Sequence, residues 1–278
     1  MSTPLKNIAV VTGSNKGIGY AIVKGLCEKY DGLVYLTARN VGRGEAAVKK
    51  LNELGFKPLF HQLDITSKES INKLRDDIVR EHGGIDLLIN NAAISYSKNG
   101  TESFGEKAEN TVKVNYFATL EVCNVLFPIL RQNARFINLS SSTARLSRLP
   151  SPILRDKFKD PKLTVPKLNE LIQEFVRVAK EGVDTSNTWG SSTYAVSKVG
   201  VSALTFIQQR EFDAETPSRN IFVNCCHPGR VNTDLTRHDG PLTIEEGARS
   251  SLYLALENHG LKGKFVWEDC SVIEWTTA

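Results

Sequence analysis

Short apolar runs rich in β-branched residues alternate along this chain with longer segments of helical period. The runs predict strands at residues 8–12, 33–38, 58–62, 87–90, 135–139, 221–226 and 264–266. Between them, the pattern predicts helices at residues 18–29, 43–54, 68–81, 110–130 and 193–211. Repeated strand-helix units with right-handed crossovers form a parallel sheet with helices on both faces. We therefore predict a doubly wound, three-layer α/β fold with seven parallel strands, which binds ligands at the carboxyl ends of its strands.

One interval interrupts this alternation, between the fifth predicted strand and the helix that carries Tyr194. Residues 145–188 contain four prolines and then a helical run at 168–180. The apolar positions of that run follow the i, i+3, i+4, i+7 spacing of an amphipathic helix, so we expect it to pack against the body of the protein. We predict one domain over residues 1–278, with a helical insertion at about 145–188.

The charge balance and the cysteines limit the classes of partner. The chain of 278 residues has 35 basic and 31 acidic side chains and a net charge of +4, which predicts neither a nucleic-acid nor a membrane partner. No stretch approaches the roughly 18 to 20 apolar residues of a membrane span, and the N-terminus shows no signal pattern, so we expect a cytoplasmic protein. The five cysteines lack CxxC spacing, so we expect buried thiols rather than disulfides or a metal site.

Three glycines follow the first predicted strand in the segment from Thr12 to Gly19. Close approach of a backbone to a pyrophosphate requires residues without Cβ, and the next helix offers free N–H groups to phosphates. The segment therefore predicts a dinucleotide site, although an ordinary turn between a strand and a helix is the alternative. Its residues with a predicted cofactor role are Gly13, Asn15, Lys16, Gly17, Ile18 and Gly19.

The second predicted strand ends at Arg39, where an NAD-binding chain usually places an acidic residue against the ribose hydroxyls. Arg39 and Lys16 would supply two cations to a 2′-phosphate, and an arginine can bind it with two parallel hydrogen bonds. We therefore predict NADP(H) rather than NAD(H). The alternative is that Arg39 is a solvated loop charge.

Polar side chains also end the third and fourth predicted strands. Asp64, followed by Ile65, is placed either to accept hydrogen bonds from an adenine edge or to cap the next helix. Asn90 and Asn91 can brace neighbouring strand ends, and Asn91 is expected to contact the cofactor ribose. An Asn-Asn pair on its own is typical of a turn.

Tyr194 and Lys198 lie four residues apart in a predicted helix and so share one face. An ammonium beside a phenol lowers the pKa of the phenol from about 10 and makes it a better proton donor. Such a pair is common on helix surfaces, but two other residues support a functional role here. Ser141 follows the fifth predicted strand at the same sheet edge, and Asn115 interrupts an apolar helix where a buried amide requires partners.

Together these residues resemble the short-chain dehydrogenase/reductase family, which has a Rossmann-like fold, over nearly the whole chain and in the same order. Residues 12–19 are similar to the family's TGxxxGxG turn, 90–93 to its NNAG motif, and Tyr194 with Lys198 to its YxxxK motif. The insertion at 145–188 is similar to that of the monomeric carbonyl reductases of animals. Further cofactor contacts, near the nicotinamide carboxamide, are implied for Pro228, Gly229, Val231 and Thr233.

The resemblance implies NADPH-dependent reduction of ketones, quinones and aldehydes to alcohols. It implies that Tyr194 donates the proton, Ser141 assists, Lys198 holds the ribose and keeps Tyr194 acidic, and Asn115 positions a water. It also implies a monomer, because the insertion covers the helices by which oligomeric relatives associate. Three residues depart from the pattern: Ala93 replaces a glycine, His227 replaces a cysteine, and Lys107 replaces a glutamine associated with glutathione binding.

The substrate side is less determined by the sequence. We expect Tyr96 and Trp189 to line an apolar cleft for a small carbonyl substrate, together with Ser141 and Tyr194, and we expect Trp267 and Trp275 to be packing residues. His227 has no carboxylate partner in the sequence pattern and is assigned no catalytic role. Two alternatives stay open: a nucleotide-sugar-modifying enzyme on the same fold, and a non-catalytic NADPH-binding sensor or scaffold.

Overall fold

The computed structural model describes residues 6–97 and 100–276. In these residues, eight strands form one sheet in the order β3-β2-β1-β4-β5-β6-β7-β8. The strands are β1 Asn7–Val11, β2 Gly32–Ala38, β3 Leu59–Gln62, β4 Ile85–Asn90, β5 Leu130–Leu139, β6 Phe222–Cys226, β7 Phe265–Val266 and β8 Val272–Ile273. The helices are α1 Gly17–Lys29, α2 Val41–Glu53, α3 Lys68–His82, α4 Phe104–Val112, α5 Thr119–Leu126, α6 Pro152–Lys159, α7 Val165–Lys180, α8 Thr193–Asp213 and α9 Ile244–Leu256.

The doubly wound architecture is confirmed, with one difference in the sheet. Strands β1 to β7 pair in parallel, and β8 adds an antiparallel edge to β7 that the sequence analysis did not predict. The central strand β1 is buried on both faces, and its residues from Ile8 to Val11 are fully inaccessible to solvent. Such two-sided burial is typical of parallel strands covered by helices, and it explains why β1 is a continuous apolar run rather than an alternating one.

The helix predicted at 110–130 is wrong in its bounds and in its regularity. Helix α4 begins earlier, at Phe104, because Ser103 and Glu106 form a capping box. The helix then widens into a π-helix at Lys113–Ala118 before α5 begins. Helices α6 and α9 were also not predicted, although a Ser cap followed by proline and a Thr–Glu capping box mark their starts.

The insertion packs against the body of the protein, as predicted from the spacing of its apolar residues. Leu168, Ile172 and Phe175 of α7 are fully buried, and α7 packs on α4 and α8. Helix α6 contributes Leu154 and Phe158 to the same core cluster. Within residues 6–97 and 100–276, no helix combines the length and apolar character needed to cross a membrane.

Candidate active site

The glycine turn joins β1 to α1 in a conformation that requires glycine. Gly13 and Gly17 have φ angles of +61° and +58°, which residues with a side chain rarely adopt. A Cβ on Gly19 would lie 2.4 Å from Asn91 Nδ2 and 2.8 Å from the Cα of Ser14. The turn is therefore too compact for side chains at these positions, and its backbone is left open to a ligand.

The N-terminus of α1 is free of side-chain caps. Of the α-helices that start from a loop in the described part of the chain, α1 alone has no capping side chain, because its N-cap is Lys16. Its first turn also contains no acidic residue. The unpaired N–H groups and the positive end of the helix dipole therefore form a site for an anion such as a pyrophosphate.

A cleft of about 350 Å³ lies between this turn and α2. Three cations line it: Lys16, Arg43 and Lys50. Lys16 and Arg39 were predicted to bind the 2′-phosphate, whereas Arg43 was not, although its position in the first turn of α2, shortly after β2, was a usable signal. Arg39 is exposed just beyond β2, and its contact with a 2′-phosphate stays a prediction. Lys16 extends to Asp234, with 2.5 Å between Nζ and Oδ2.

Asp64 does not cap α3, so that alternative is wrong. Its Oδ1 accepts hydrogen bonds from the backbone N–H and the hydroxyl of Thr66, at 2.9 and 2.6 Å, while Ser67 caps the helix. The side chain of Ile65 is buried in the core, which leaves its backbone as the part that could face a ligand. The proposed adenine contact of Asp64 stays a prediction.

The two asparagines after β4 brace the sheet edge, as predicted. Asn90 Nδ2 donates to Asn138 Oδ1 on β5 at 3.2 Å. Asn91 Nδ2 donates to the carbonyl oxygens of Thr12 and Gly13, both at 2.9 Å. Asn91 therefore fixes the glycine turn against the end of β4.

Asn115 lies in the π-helix and is almost fully buried. Its Oδ1 accepts from the backbone N–H of Ile94 at 2.8 Å, and its Nδ2 donates to the carbonyl oxygen of Ile94 at 2.9 Å and to Ser197 Oγ at 3.1 Å. Ser197 Oγ in turn donates to the carbonyl oxygen of Tyr194 at 2.7 Å. The side chain thus connects the segment after β4 to the helix of Tyr194, and both of its N–H groups are used.

Ser141 caps a short 3₁₀ turn, Ser142–Ala144, directly after β5. Its Oγ accepts hydrogen bonds from the backbone N–H and the hydroxyl of Thr143, at 3.2 and 3.0 Å. Both lone pairs are therefore engaged, and the O–H proton is left to donate. Trp275 holds the other end of the turn, because its Nε1 donates to the carbonyl oxygen of Ala144 at 2.6 Å.

Tyr194 and Lys198 share a face of α8, and the predicted lowering of the phenol pKa by Lys198 stays a prediction, since burial is the main influence on that pKa. Burial raises the pKa of Tyr194 to about 12, and a hydrogen bond from Ser141 opposes that rise. Lys198 Nζ lies 5.9 Å from the centre of the Tyr194 ring and donates to the carbonyl oxygen of Leu139 at 2.6 Å. Burial lowers the pKa of Lys198 to about 8.

The segment after β6 reaches the glycine turn from the other side. Gly229 has a φ angle of +82° and follows Pro228. Thr233 faces the glycine turn, since its Cγ2 is 3.3 Å from where a Cβ on Gly17 would lie. The side chain of Val231 is buried, so its backbone is the part available to a ligand.

Trp189 and Tyr96 were both predicted to line the substrate cleft, but the structure places them in different environments. Trp189 is 5% exposed, and its ring contacts those of Phe158 and Phe175, with centroids 6.3 and 5.6 Å away. It is a packing residue of the insertion, which corrects its assignment to the substrate cleft. Tyr96 is partly exposed, and its carbonyl oxygen accepts from Arg237 at 3.1 Å.

A family model described as short chain dehydrogenase matches residues 7–151. Carbonyl reductase [NADPH] 1 of Sus scrofa is 43% identical over 272 residues, which cover 96% of this chain and 94% of that protein. Carbonyl reductase [NADPH] 3 of Rattus norvegicus is 44% identical, with 90% of each chain covered. Among solved structures, salutaridine reductase of Papaver somniferum superimposes with a TM-score of 0.86 at 30% identity, covering 95% of this chain and all of that one.

Proposed function

Because this chain belongs to the short-chain dehydrogenase family, we propose that it is an oxidoreductase that reduces carbonyl compounds to alcohols with NADPH. The observation that carries the proposal is the convergence of Ser141, Tyr194 and Lys198 at the carboxyl edge of the sheet, beside a glycine turn with free N–H groups. Relatives named as NADPH carbonyl reductases, which align over nearly the whole chain, support the same activity.

The residues around the glycine turn fit NADPH. The uncapped start of α1 would hold the pyrophosphate, and the cleft cations Lys16, Arg43 and Lys50 would surround the 2′-phosphate. Asp64 and Asn91 would contact the adenosine half, and Lys198 the nicotinamide ribose. Bound NADPH would supply the hydride that reduces the carbonyl carbon.

Ser141 and Tyr194 would bind and protonate the carbonyl oxygen of the substrate. With a substrate bound, the O–H group of Ser141 would donate to that oxygen instead of to Tyr194 and would hold it beside the phenol. Tyr194 would then donate its proton as negative charge develops on the oxygen. A phenol whose pKa is about 12 stays protonated throughout the neutral range, so it is available as an acid, and an alkoxide is basic enough to take its proton. Asn115 would act by positioning Tyr194 through Ser197.

The test is carbonyl-dependent oxidation of NADPH, followed by absorbance, with an aromatic ketone, a quinone and isatin as substrates and UDP-sugars as comparison compounds. We expect turnover of at least one carbonyl class and none of the UDP-sugars. Absence of carbonyl-dependent oxidation across the panel, with NADPH binding intact, would support a non-catalytic NADPH-binding protein instead.

The monomeric state predicted from the insertion is also part of this proposal. Its support is that α7 lies across α4 and α8 and buries their outer surface. Light scattering on the purified protein is expected to give the mass of one chain, 30.8 kDa, and a mass of two or four chains would contradict it. The cytoplasmic location stays a prediction of the sequence.

A further inference from the structure

Four residues that the proposed mechanism does not use meet at the ligand edge of the sheet. Arg145, His227, Trp267 and Glu268, here called the Trp267 cluster, follow the ends of three adjacent strands. Arg145 ends the turn that Ser141 begins after β5, His227 follows β6, and Trp267 follows β7. The carboxyl ends of parallel strands bind ligands in this fold class, so the cluster lies on the functional side of the sheet.

Trp267 holds the side chain of Arg145 in place. The guanidinium carbon lies 5.6 Å from the centre of the indole ring, within the range of cation–π stacking. On the same indole, the ring of His227 packs with 4.5 Å between centroids. The Nε of Arg145 is buried without a hydrogen-bond partner, so the terminal nitrogens are the part that can meet a ligand.

The charge of Arg145 is not neutralised within the described residues 6–97 and 100–276. No carboxylate there lies within ion-pair distance of its guanidinium. Glu268 lies against the neutral imidazole of His227, with 3.3 Å between Oε2 and Nε2. By contrast, Arg177 and Arg219 each contact glutamates. A stacked and unpaired arginine is prepared to bind a planar anion with two parallel hydrogen bonds.

Arg145 is close to the proposed reacting centre. It follows Ser141 by four residues through a 3₁₀ turn, and such a turn advances about 2 Å per residue, which places the two Cα atoms about 8 Å apart. A substrate whose carbonyl oxygen met Ser141, and which extended along this turn, would therefore bring a group several bonds away towards Arg145.

We propose that Arg145, stacked on Trp267, binds a carboxylate of the carbonyl substrate, so that this enzyme prefers oxo acids to neutral carbonyl compounds of the same skeleton. The inference rests on the proposed reductase function and adds a substrate class to it. Glu268, which follows Trp267 in the sequence and contacts His227, adds a negative charge to the same cluster and limits the preference. Removal of that charge should therefore strengthen the binding of the acid.

The test compares kcat/KM for two acids and their methyl esters with NADPH: 4-carboxybenzaldehyde and 9-oxononanoate, which differ in reach. We expect the wild-type protein to favour at least one acid over its ester. Arg145→Gln should lower that acid-to-ester ratio about 10- to 100-fold, mainly through KM of the acid, since hydrogen bonds to charged groups are the strong ones. Arg145→Lys should restore part of the ratio, and Glu268→Gln should raise it.

Arg148→Gln is the matched control, because Arg148 is an exposed arginine of the following turn, three residues along. The acid-to-ester ratio of kcat/KM in Arg148→Gln should equal that of the wild type. An unchanged ratio in Arg145→Gln, or an equal change in Arg148→Gln, overturns the inference. If the esters turn over while neither acid is preferred, only this inference fails. If the wild type reduces none of the four compounds and none of the earlier panel, the proposed function itself fails. Thermal melting and NADPH titration identify a variant that has lost its fold.

Discussion

Lys198 donates a hydrogen bond from its ammonium group to the carbonyl oxygen of Leu139, the last residue of β5. The bond joins the helix of Tyr194 to the strand that delivers Ser141. The two proposed proton donors are therefore held at a fixed separation by the protein alone. A buried ammonium is costly to keep charged, which accounts for the lowered pKa of Lys198.

Removal of the phenolic hydroxyl should abolish most of the activity. Tyr194→Phe is expected to lower kcat/KM for carbonyl reduction by about 10²- to 10⁴-fold, the usual contribution of a general acid. The affinity for NADPH, measured by fluorescence titration, should change little, because the glycine turn and the cationic cleft are untouched. Near-normal turnover in this variant would refute Tyr194 as the proton donor.

The rate should depend on pH through Lys198. Burial lowers the pKa of Lys198 to about 8, so its positive charge is present below that pH and is lost as the pH rises. We expect kcat/KM for NADPH, which reports the free enzyme, to fall as the pH passes about 8. In Lys198→Arg the side chain stays charged, so kcat/KM for NADPH should no longer fall within the measured pH range. A flat wild-type profile up to pH 9.5 would contradict this assignment.

Arg43 should set the preference between the two nicotinamide cofactors. Arg43→Ala is expected to raise KM for NADPH about 10- to 100-fold, as loss of a charged hydrogen bond usually does. KM for NADH should change little, because NADH has no 2′-phosphate. Lys49→Ala is the control, since Lys49 is exposed on the same helix and does not line the cleft. Equal increases in KM for NADPH and for NADH would contradict the assignment of Arg43 to the 2′-phosphate site.

His227 should make the protein sensitive to acid. Burial, and secondarily the charge of Arg145, lower its pKa from 6.5 to about 4. Between these values the unfolded chain binds a proton that the folded protein does not, so stability falls as the pH drops from 6.5 towards 4. The loss amounts to at most about 3 kcal/mol. Urea unfolding at several pH values should show that His227→Gln loses less stability over this range, and parallel curves would contradict the assignment.

Two glycines should respond in opposite ways to the same substitution. Gly19→Ala places a methyl group against Asn91 and the backbone of Ser14, so we expect a loss of about 1 to 3 kcal/mol and weaker NADPH binding. Gly42 lies in α2 with no atom closer than 3.7 Å to an added Cβ, and Gly42→Ala should stabilise the protein by about 0.5 to 1 kcal/mol. Melting curves of both variants measure the contrast.

Local sequence patterns predicted most of the fold and the order of the site residues. Residues 8–11 of β1 are all apolar because they are buried on both faces of the sheet. Helix α7 shows its amphipathic face in the spacing of Leu168, Ile172 and Phe175. The starts of α4 and α9 were also readable, since Ser103 and Thr243 are each followed three residues later by a glutamate. Both capping signals were therefore present in the sequence, although the predicted helices did not include them.

Other features depend on contacts that no local pattern contains. The π-helix around Asn115 is stabilised by bonds to Ile94 and Ser197, which are distant in sequence. The two-residue strand β8 is too short to have a period. The carboxylate beside His227 comes from Glu268, on another strand end. The pKa of Tyr194 is dominated by burial in the folded protein, which the spacing of Tyr194 and Lys198 cannot reveal.

The bond from Trp275 to Ala144 joins positions 131 residues apart. Ala144 ends the turn that begins at Ser141. By fixing this turn, the indole of Trp275 also helps to fix the Ser141 hydroxyl that would contact the substrate. Truncation of the chain before Trp275, or substitution of Trp275, would therefore displace the hydroxyl of Ser141 before it affected the sheet. Trp275 therefore helps to position the hydroxyl of Ser141 although the two residues are far apart in the sequence.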